Sequence, residues 1–188
     1  LVEDIRQRPF VLMVGTIEPR KNHALALDIF EEMWRDGQGV SLVIVGKQGW
    51  MVEETIERIV NHPERGTRLH WVERATDSDL FHLYQFARFM MFLSKGEGFG
   101  LPLVEASYHN TPIICSDIPV FREVAKTHAT YLDLNDDPAR HAARIVVQLE
   151  RLSRGIDLQS QALDRLSWEE SMEQLISVIQ QNKWSHRF

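Results

Sequence analysis

Short apolar runs recur along the chain, and each is closed by glycine, proline or a polar turn. Runs of this length that are rich in Val, Ile and Phe are typical of β-strands. Because several are continuous rather than alternating, they favour a parallel sheet that is buried on both faces. The predicted strands cover residues 10–14, 41–45, 69–72, 89–93, 112–115 and 130–132.

Helical periodicity separates these runs. In the clearest case, apolar residues from Ala26 to Trp34 recur at three-to-four spacing, and Asp28, Glu31 and Arg35 fall on the opposite side. This pattern predicts an amphipathic helix. Further helices are predicted at 52–60, 78–87, 102–108 and 119–125. Strands that alternate with helices predict an α/β fold, a doubly wound parallel six-stranded Rossmann-like sheet.

The last third of the chain is predicted to be helical, at 138–153, at 158–166 and in a final helix opened by the capping box Ser167-Trp168-Glu169-Glu170. Residues 1–188 therefore form one predicted domain, with the α/β core at about 10–135 and C-terminal helices at 138–188. The chain starts at Leu1 rather than Met and soon enters a strand pattern, so we expect it to be a piece of a longer polypeptide.

The composition excludes some classes of protein. Of the 188 residues, 44% are apolar and 26% are charged, the usual mixture for a globular domain. The 21 basic and 27 acidic residues give a formal net charge of −6. Nucleic-acid binding requires clustered Lys and Arg against the phosphates, so we predict no nucleic-acid partner.

Cysteine usage and hydropathy indicate the compartment. The single cysteine, Cys115, has no internal disulfide partner, which favours a reducing environment. No run approaches the roughly 20 apolar residues of a transmembrane helix, and no signal-peptide pattern opens the chain. The sequence therefore predicts a soluble cytoplasmic protein without an integral membrane segment.

Two loops of unusual composition follow the first and fourth predicted strands, at 15–22 and 94–102. In an open parallel sheet, ligands bind beyond the carboxyl ends of the strands, where the strand order reverses. For the order 3-2-1-4-5-6, that crevice lies between strands one and four. We therefore expect both loops to line one cleft.

Each loop indicates an anion. The second ends in a helix start at which Leu101 offers no capping oxygen, which leaves the N–H groups around Phe99 to Val104 for a ligand such as a diphosphate. The first places Arg20 and Lys21 just before a helix, where cations oppose the dipole. The alternatives are a water-capped helix after a flexible turn and an ordinary solvated Lys-Arg pair.

Glu97 and Glu105 are eight residues apart, one in the glycine loop and one in the first turns of the following helix. Both can therefore reach one ligand, although Glu105 alone could simply favour the helix N-terminus. Carboxylates accept hydrogen bonds from hydroxyls. A ligand that combines a diphosphate with several hydroxyls is a nucleotide sugar.

No metal site and no cofactor are predicted. The segment Asp77-Ser78-Asp79 has a D-x-D form, but it follows Thr76 at a predicted helix start, where helix capping is the expected role. The eight histidines lack the spacing of metal ligands.

The segment Glu97-Gly98-Phe99-Gly100-Leu101-Pro102-Leu103-Val104-Glu105 resembles the E-x7-E signature of the family 4 retaining glycosyltransferases, which have the two-domain GT-B fold. Residues 15–22, residues 116–125 and Ser167-Trp168-Glu169 are similar to segments of the bacterial members. This resemblance spans about Phe10 to Ile179. It implies a C-terminal, donor-binding domain from which the N-terminal acceptor domain is absent.

The resemblance also implies roles for particular residues. Lys21 would bind the donor diphosphate and Glu97 the transferred sugar, and these two are the predicted catalytic residues. Many relatives have Arg after the first-strand glycine, where this chain has Thr16, so Arg20 is expected to supply the missing charge. The other implied donor contacts are Gly15 beside Thr16, backbone donors at Phe99, Gly100 and Leu101, Glu105 at the ribose, and Val72, Glu73 and Arg74 at the base.

The implied reaction is transfer of a hexose, with mannose as the first expectation, from a nucleoside diphosphate to a saccharide or lipid-linked acceptor. The expected donor is GDP-mannose or, second, a UDP-sugar, and no metal is needed. The fragment should bind nucleotide but transfer the sugar poorly, since the acceptor would bind the missing domain. The full-length protein is expected in the cytoplasm, with peripheral contact at the inner face of the membrane. Two alternatives are a non-catalytic nucleotide-sugar-binding module and a GT-B-like epimerase or hydrolase.

Overall fold

The computed structural model describes residues 2–156 and 168–180. Within them, six parallel strands form one sheet in the order β3-β2-β1-β4-β5-β6, which confirms the predicted order. The strands are β1 (Phe10–Val14), β2 (Ser41–Val45), β3 (Leu69–Val72), β4 (Phe89–Phe92), β5 (Ile113–Ser116) and β6 (Ala129–Leu132).

Helices cover both faces of the sheet, as the doubly wound prediction requires. They are α1 (Val2–Ile5), α2 (His23–Arg35), α3 (Glu53–Val60), α4 (Asp77–Phe86), α5 (Leu101–Tyr108), α6 (Pro119–Ala125), α7 (Pro138–Ser153) and α8 (Trp168–Gln180). Over these residues, no helix is both long and apolar enough to cross a membrane.

The two faces of the sheet have separate hydrophobic cores. Alternate residues of β1 divide between them. Val11 belongs to the core that includes residues of α2, α3 and α7, whereas Leu12 belongs to the core that includes residues of α1, α4, α5 and α6. Both side chains are fully buried, which explains why β1 is continuously apolar. The helices of the two faces thus approach the carboxyl edge of the sheet from opposite sides.

The observed boundaries differ from the predicted ones by a residue or two. Strand β5 continues to Ser116, whose hydroxyl donates to the Ser94 carbonyl at 2.6 Å, so a polar residue ends a buried strand. Helix α1 was not predicted, because four residues are too few to show a period. The predicted helix at 158–166 and the capping residue Ser167 lie outside the described residues.

The D-x-D segment caps a helix, as predicted. The Thr76 hydroxyl accepts from the Asp79 N–H at 3.1 Å, and the Asp79 carboxylate accepts from the Thr76 N–H at 3.0 Å. These reciprocal bonds form a capping box at the start of α4.

Candidate functional site

The loop after β1 is held by the loop after β2. The Gly15 N–H donates to the Val45 carbonyl and the Ile17 N–H to the Lys47 carbonyl, both at 2.9 Å. A Cβ at Gly46 would lie 2.0 Å from the Gly15 carbonyl oxygen, so only glycine permits this approach of two backbones. The first loop is therefore a fixed platform at the carboxyl edge of the sheet.

Lys21 lies at the end of a short 3₁₀-helix, Pro19–Lys21, and only 8% of the residue is exposed. Asn22, in the left-handed region with φ of 60°, turns the chain from this helix into α2. The Lys21 Nζ lies 4.3 Å above the centroid of the Phe92 ring at the end of β4, a cation–π contact. The first loop thus directs a desolvated ammonium toward the fourth strand.

The Lys21 ammonium meets Glu97 from the loop after β4. Lys21 Nζ lies 2.6 Å from Glu97 Oε1, and Arg20 Nη1 lies 2.6 Å from Oε2. The Ser94 hydroxyl donates to Oε1 at 2.8 Å. The Glu97 and Lys21 side chains are 8% and 10% exposed, whereas Arg20 is 46% exposed. The two loops therefore line one site, as the strand order predicts.

These contacts control the ionisation of the cluster. Burial by itself would raise the pKa of Glu97, but hydrogen bonds from Lys21, Arg20 and Ser94 outweigh it and hold the pKa below its usual value. The hydrogen bond between Arg20 and Glu97 also raises the pKa of Arg20. Glu97 is consequently a carboxylate, and both cations are paired with it. A ligand anion would have to compete with Glu97 for them, a feature that the loop composition did not indicate.

The glycine loop turns into α5 without a side-chain cap. Gly100 has a φ of 92°, and a Cβ there would lie 2.9 Å from Phe121 Cε1, so this position requires glycine. The Leu103 N–H donates to the Gly100 carbonyl, which confines the free donors to the very start of the helix. Phe99 and Leu101, whose N–H groups belong to that start, have exposed side chains.

Glu105 lies on the exposed side of α5. Its Oε2 accepts a hydrogen bond from the Tyr84 hydroxyl of α4 at 2.8 Å. Glu97 lies in the loop before α5 and Glu105 lies within α5. The first carboxylate contacts two cations, whereas the second contacts a neutral hydroxyl.

The remaining predicted contacts are spread along the same edge. Thr16 is exposed beside Gly49 of the neighbouring loop. Val72, at the end of β3, packs its side chain into the core, and its carbonyl accepts from the Gly46 N–H at 3.0 Å, so it offers little to a ligand. Glu73 and Arg74 follow it and are exposed.

Sequence reasoning missed two residues that hold the carboxylates, Ser94 and Tyr84. Ser94 had a weak signal, because it directly follows the predicted strand 89–93 and opens the glycine loop. Tyr84 had none, since its place on α4 is consistent with ordinary core packing.

One cavity borders the site, and another lies away from it. A cavity of about 380 Å³, lined by Asn22, Lys95, Asp117 and the turn after β6, opens next to the first loop. A larger one of about 820 Å³ lies between α2 and α3, and neither loop of the site lines it. Within the part of the chain that the structure describes, no three His, Cys, Asp or Glu side chains converge as metal ligands.

The fold and the site define a class: a doubly wound α/β domain with paired cations and carboxylates at the point where the strand order reverses. Residues 3–151 match the sequence model of a protein family described as "Glycosyl transferases group 1". The chain belongs to this family, which confirms the resemblance drawn from the E-x7-E segment.

The relatives that match the chain are longer proteins. The chain is 42% identical over 171 residues to "Serotype-specific mannosyltransferase WbdA" of Escherichia coli, a match that covers 91% of this chain and 21% of that protein. It is 34% identical over 131 residues to "O-antigen chain mannosyltransferase B" of the same species, covering 68% and 33%. The chain therefore spans only a fifth to a third of these two relatives.

The fold recurs in a solved structure. A crystal structure of TarM superimposes with a TM-score of 0.73 over 91% of this chain and 35% of that chain, at 17% sequence identity. At this identity the likeness shows the shared fold.

Proposed function

We propose that this chain is the donor-binding domain of a retaining glycosyltransferase, which transfers a hexose from a nucleoside diphosphate to a saccharide or lipid-linked acceptor. One observation carries the proposal: Lys21 and Arg20 each lie 2.6 Å from Glu97, in the loop that leads into the uncapped helix α5. The family and the names of its relatives support the same reaction class.

The proposed chemistry follows from the charges in the cluster. When the bond between sugar and diphosphate breaks, negative charge grows on the leaving diphosphate. Once the diphosphate has replaced Glu97 as their partner, Lys21 and Arg20 face that charge together with the first N–H groups of α5. Donors that are aimed at a developing charge stabilise the transition state more than the ground state. Glu97 orients the transferred sugar and supports its positive charge.

Donor binding in this proposal is an exchange of partners. In the structure, both cations are neutralised by Glu97, and Arg20 also contacts Glu18 at 2.7 Å. The diphosphate takes over the contacts of Lys21 and Arg20, which frees an oxygen of Glu97 for a sugar hydroxyl. No metal is required, because the protein's own cations supply the positive charge.

For the donor, we propose GDP-mannose, supported by relatives named as mannosyltransferases, with a UDP-sugar as the alternative. We propose that Glu73 and Arg74, which are exposed directly after Val72 at the end of β3, flank the base. The acceptor is proposed to bind a second α/β domain, N-terminal to this one in the whole protein. That protein would work in the cytoplasm, at the inner face of the membrane where a lipid-linked acceptor is found.

Calorimetric titration of the protein with GDP and with UDP tests this proposal. GDP should bind more tightly than UDP, and Lys21→Ala should weaken binding at least thirtyfold, since loss of a buried charge costs about 2 kcal/mol or more. Arg88→Ala, which removes an exposed cation just before β4 at the opposite edge, is the matched control and should leave binding unchanged. Equal loss in both variants would contradict the assigned site.

A further inference from the structure

We infer that Tyr84 is a positioning residue for nucleotide recognition, and that it acts by fixing the carboxylate of Glu105. The inference rests on the proposed function, in which Glu105 accepts hydrogen bonds from the ribose hydroxyls. Tyr84 is outside the motif that suggested the function, and it has no contact with the Lys21 cluster in the described structure.

Tyr84 is held on three sides. It is 2% exposed, and its ring stacks on His109 at 5.2 Å between centroids with an angle of 7°. Its backbone carbonyl accepts from the buried Thr111 hydroxyl at 2.7 Å. The ring is therefore fixed in place, and its hydroxyl donates to Glu105 Oε2 at 2.8 Å. Burial, together with the nearby negative charge and hydrogen bond of Glu105, raises the pKa of Tyr84, so the hydroxyl keeps its proton.

Glu105 gains its orientation from this contact. It is an exposed residue on a helix, and an exposed glutamate side chain ordinarily samples several rotamers, which a ligand must restrict on binding. The hydrogen bond from Tyr84 to Oε2 restricts the Glu105 side chain before any ligand binds. Among the described residues, no donor contacts the other oxygen, Oε1, which is left to accept from a ligand hydroxyl.

The test compares GDP with dideoxy-GDP, which lacks both ribose hydroxyls, by calorimetric titration of the protein. The wild type should bind GDP about tenfold more tightly than dideoxy-GDP, the value of one good hydrogen bond to a charged group. Tyr84→Phe should weaken GDP binding severalfold and leave dideoxy-GDP nearly unchanged, so that the preference for the ribose shrinks. A purely structural role for Tyr84 would weaken both ligands equally.

Tyr131→Phe is the matched control. The Tyr131 hydroxyl donates to the Lys126 and Phe121 carbonyls, at 2.7 and 3.2 Å, so its removal also deletes a tyrosine hydrogen bond but spares Glu105. It should leave the ratio of the two affinities unchanged. If Tyr84→Phe behaves as Tyr131→Phe does, the inference is wrong.

A second variant covers the case in which Tyr84→Phe does not fold. Glu105→Asp, at an exposed position, keeps the charge but shortens the side chain, so the carboxylate no longer reaches the Tyr84 hydroxyl in its present geometry. It should lose the ribose preference as fully as Glu105→Gln does. Wild-type preference in Glu105→Asp would overturn the inference, whereas failure of the wild type to bind either ligand would overturn the proposed function itself.

Discussion

The two carboxylates at the start of α5 lie in opposite surroundings. Glu97 is 8% exposed and contacts two cations and a hydroxyl. Glu105 is exposed and contacts one neutral hydroxyl, that of Tyr84. The first carboxylate joins two loops through ion pairs, and the second is held ready by a single hydrogen bond. Two glutamates in one short segment thus differ in the strength of their electrostatic interactions, because burial lowers the effective dielectric constant around a charge.

The largest expected difference between them is in stability. Glu97→Gln leaves the buried Lys21 ammonium without its anion, which should cost about 3 kcal/mol in the free energy of unfolding. Glu105→Gln, at an exposed position where the amide oxygen still accepts from Tyr84, should cost less than about 1 kcal/mol. Urea unfolding of both variants measures the difference. Similar losses would show that the two environments are energetically equivalent.

Each of the two surroundings contains a histidine whose pKa burial lowers, His23 near Lys21 and His109 stacked on Tyr84. Acid should act more strongly near Glu97, because His23 is the more deeply buried of the two. Burial, with help from the Lys21 charge, lowers the pKa of His23 from 6.5 to about 4. Between these two pH values, His23 binds a proton in the unfolded chain but not in the folded chain. The contribution of His23 to the free energy of unfolding is therefore fully present above pH 6.5 and is lost as the pH falls to 4. The lowered pKa of Glu97 continues the loss below its usual value, in the same direction.

The loss attributable to His23 should be about 3 kcal/mol at most. Urea unfolding across this pH range measures it, and His23→Asn should flatten the profile because asparagine does not titrate. An unchanged slope in that variant would place the acid sensitivity elsewhere.

Gly100, which lies between the two carboxylates, tests whether the loop geometry keeps their surroundings distinct. Gly100→Ala places a Cβ at positive φ, 2.9 Å from the Phe121 ring, and should cost about 2 kcal/mol. Gly98→Ala is the matched control, because nothing lies within 4 Å of a Cβ there, and its effect should be within about 0.5 kcal/mol. Thermal unfolding of the pair compares them, and equal effects would contradict the packing argument.

The smallest effect is expected at Arg20. Its side chain is 46% exposed although it contacts Glu97 as closely as Lys21 does. Water screens such a pair, so Arg20→Ala should cost only about 0.5 kcal/mol in unfolding free energy, and less at high salt. A loss as large as that of Glu97→Gln, measured by the same unfolding experiment, would show that Arg20 rather than Lys21 neutralises the carboxylate.

Strand positions were predictable because burial on two faces imposes a local signal. Residues of β1 and β2 are apolar at nearly every position, and each run is closed by a glycine at the carboxyl edge. The ends of β4 and β5 were less predictable, since Leu93 is buried beyond its strand and Ser116 is polar within one. Hydropathy reports burial, and burial there does not coincide with sheet hydrogen bonding.

By itself, the sequence determined the alternation of strands and helices, the two loops at the switch point and the identity of Lys21, Glu97 and Glu105 as candidates. Only the tertiary structure decided that Lys21 and Arg20 are already paired with Glu97, and that Ser94 and Tyr84 orient the carboxylates. The physical reason is distance along the chain. Periodicity is a local property, whereas Lys21 and Glu97 are 76 residues apart and meet only because the strand order places β1 beside β4.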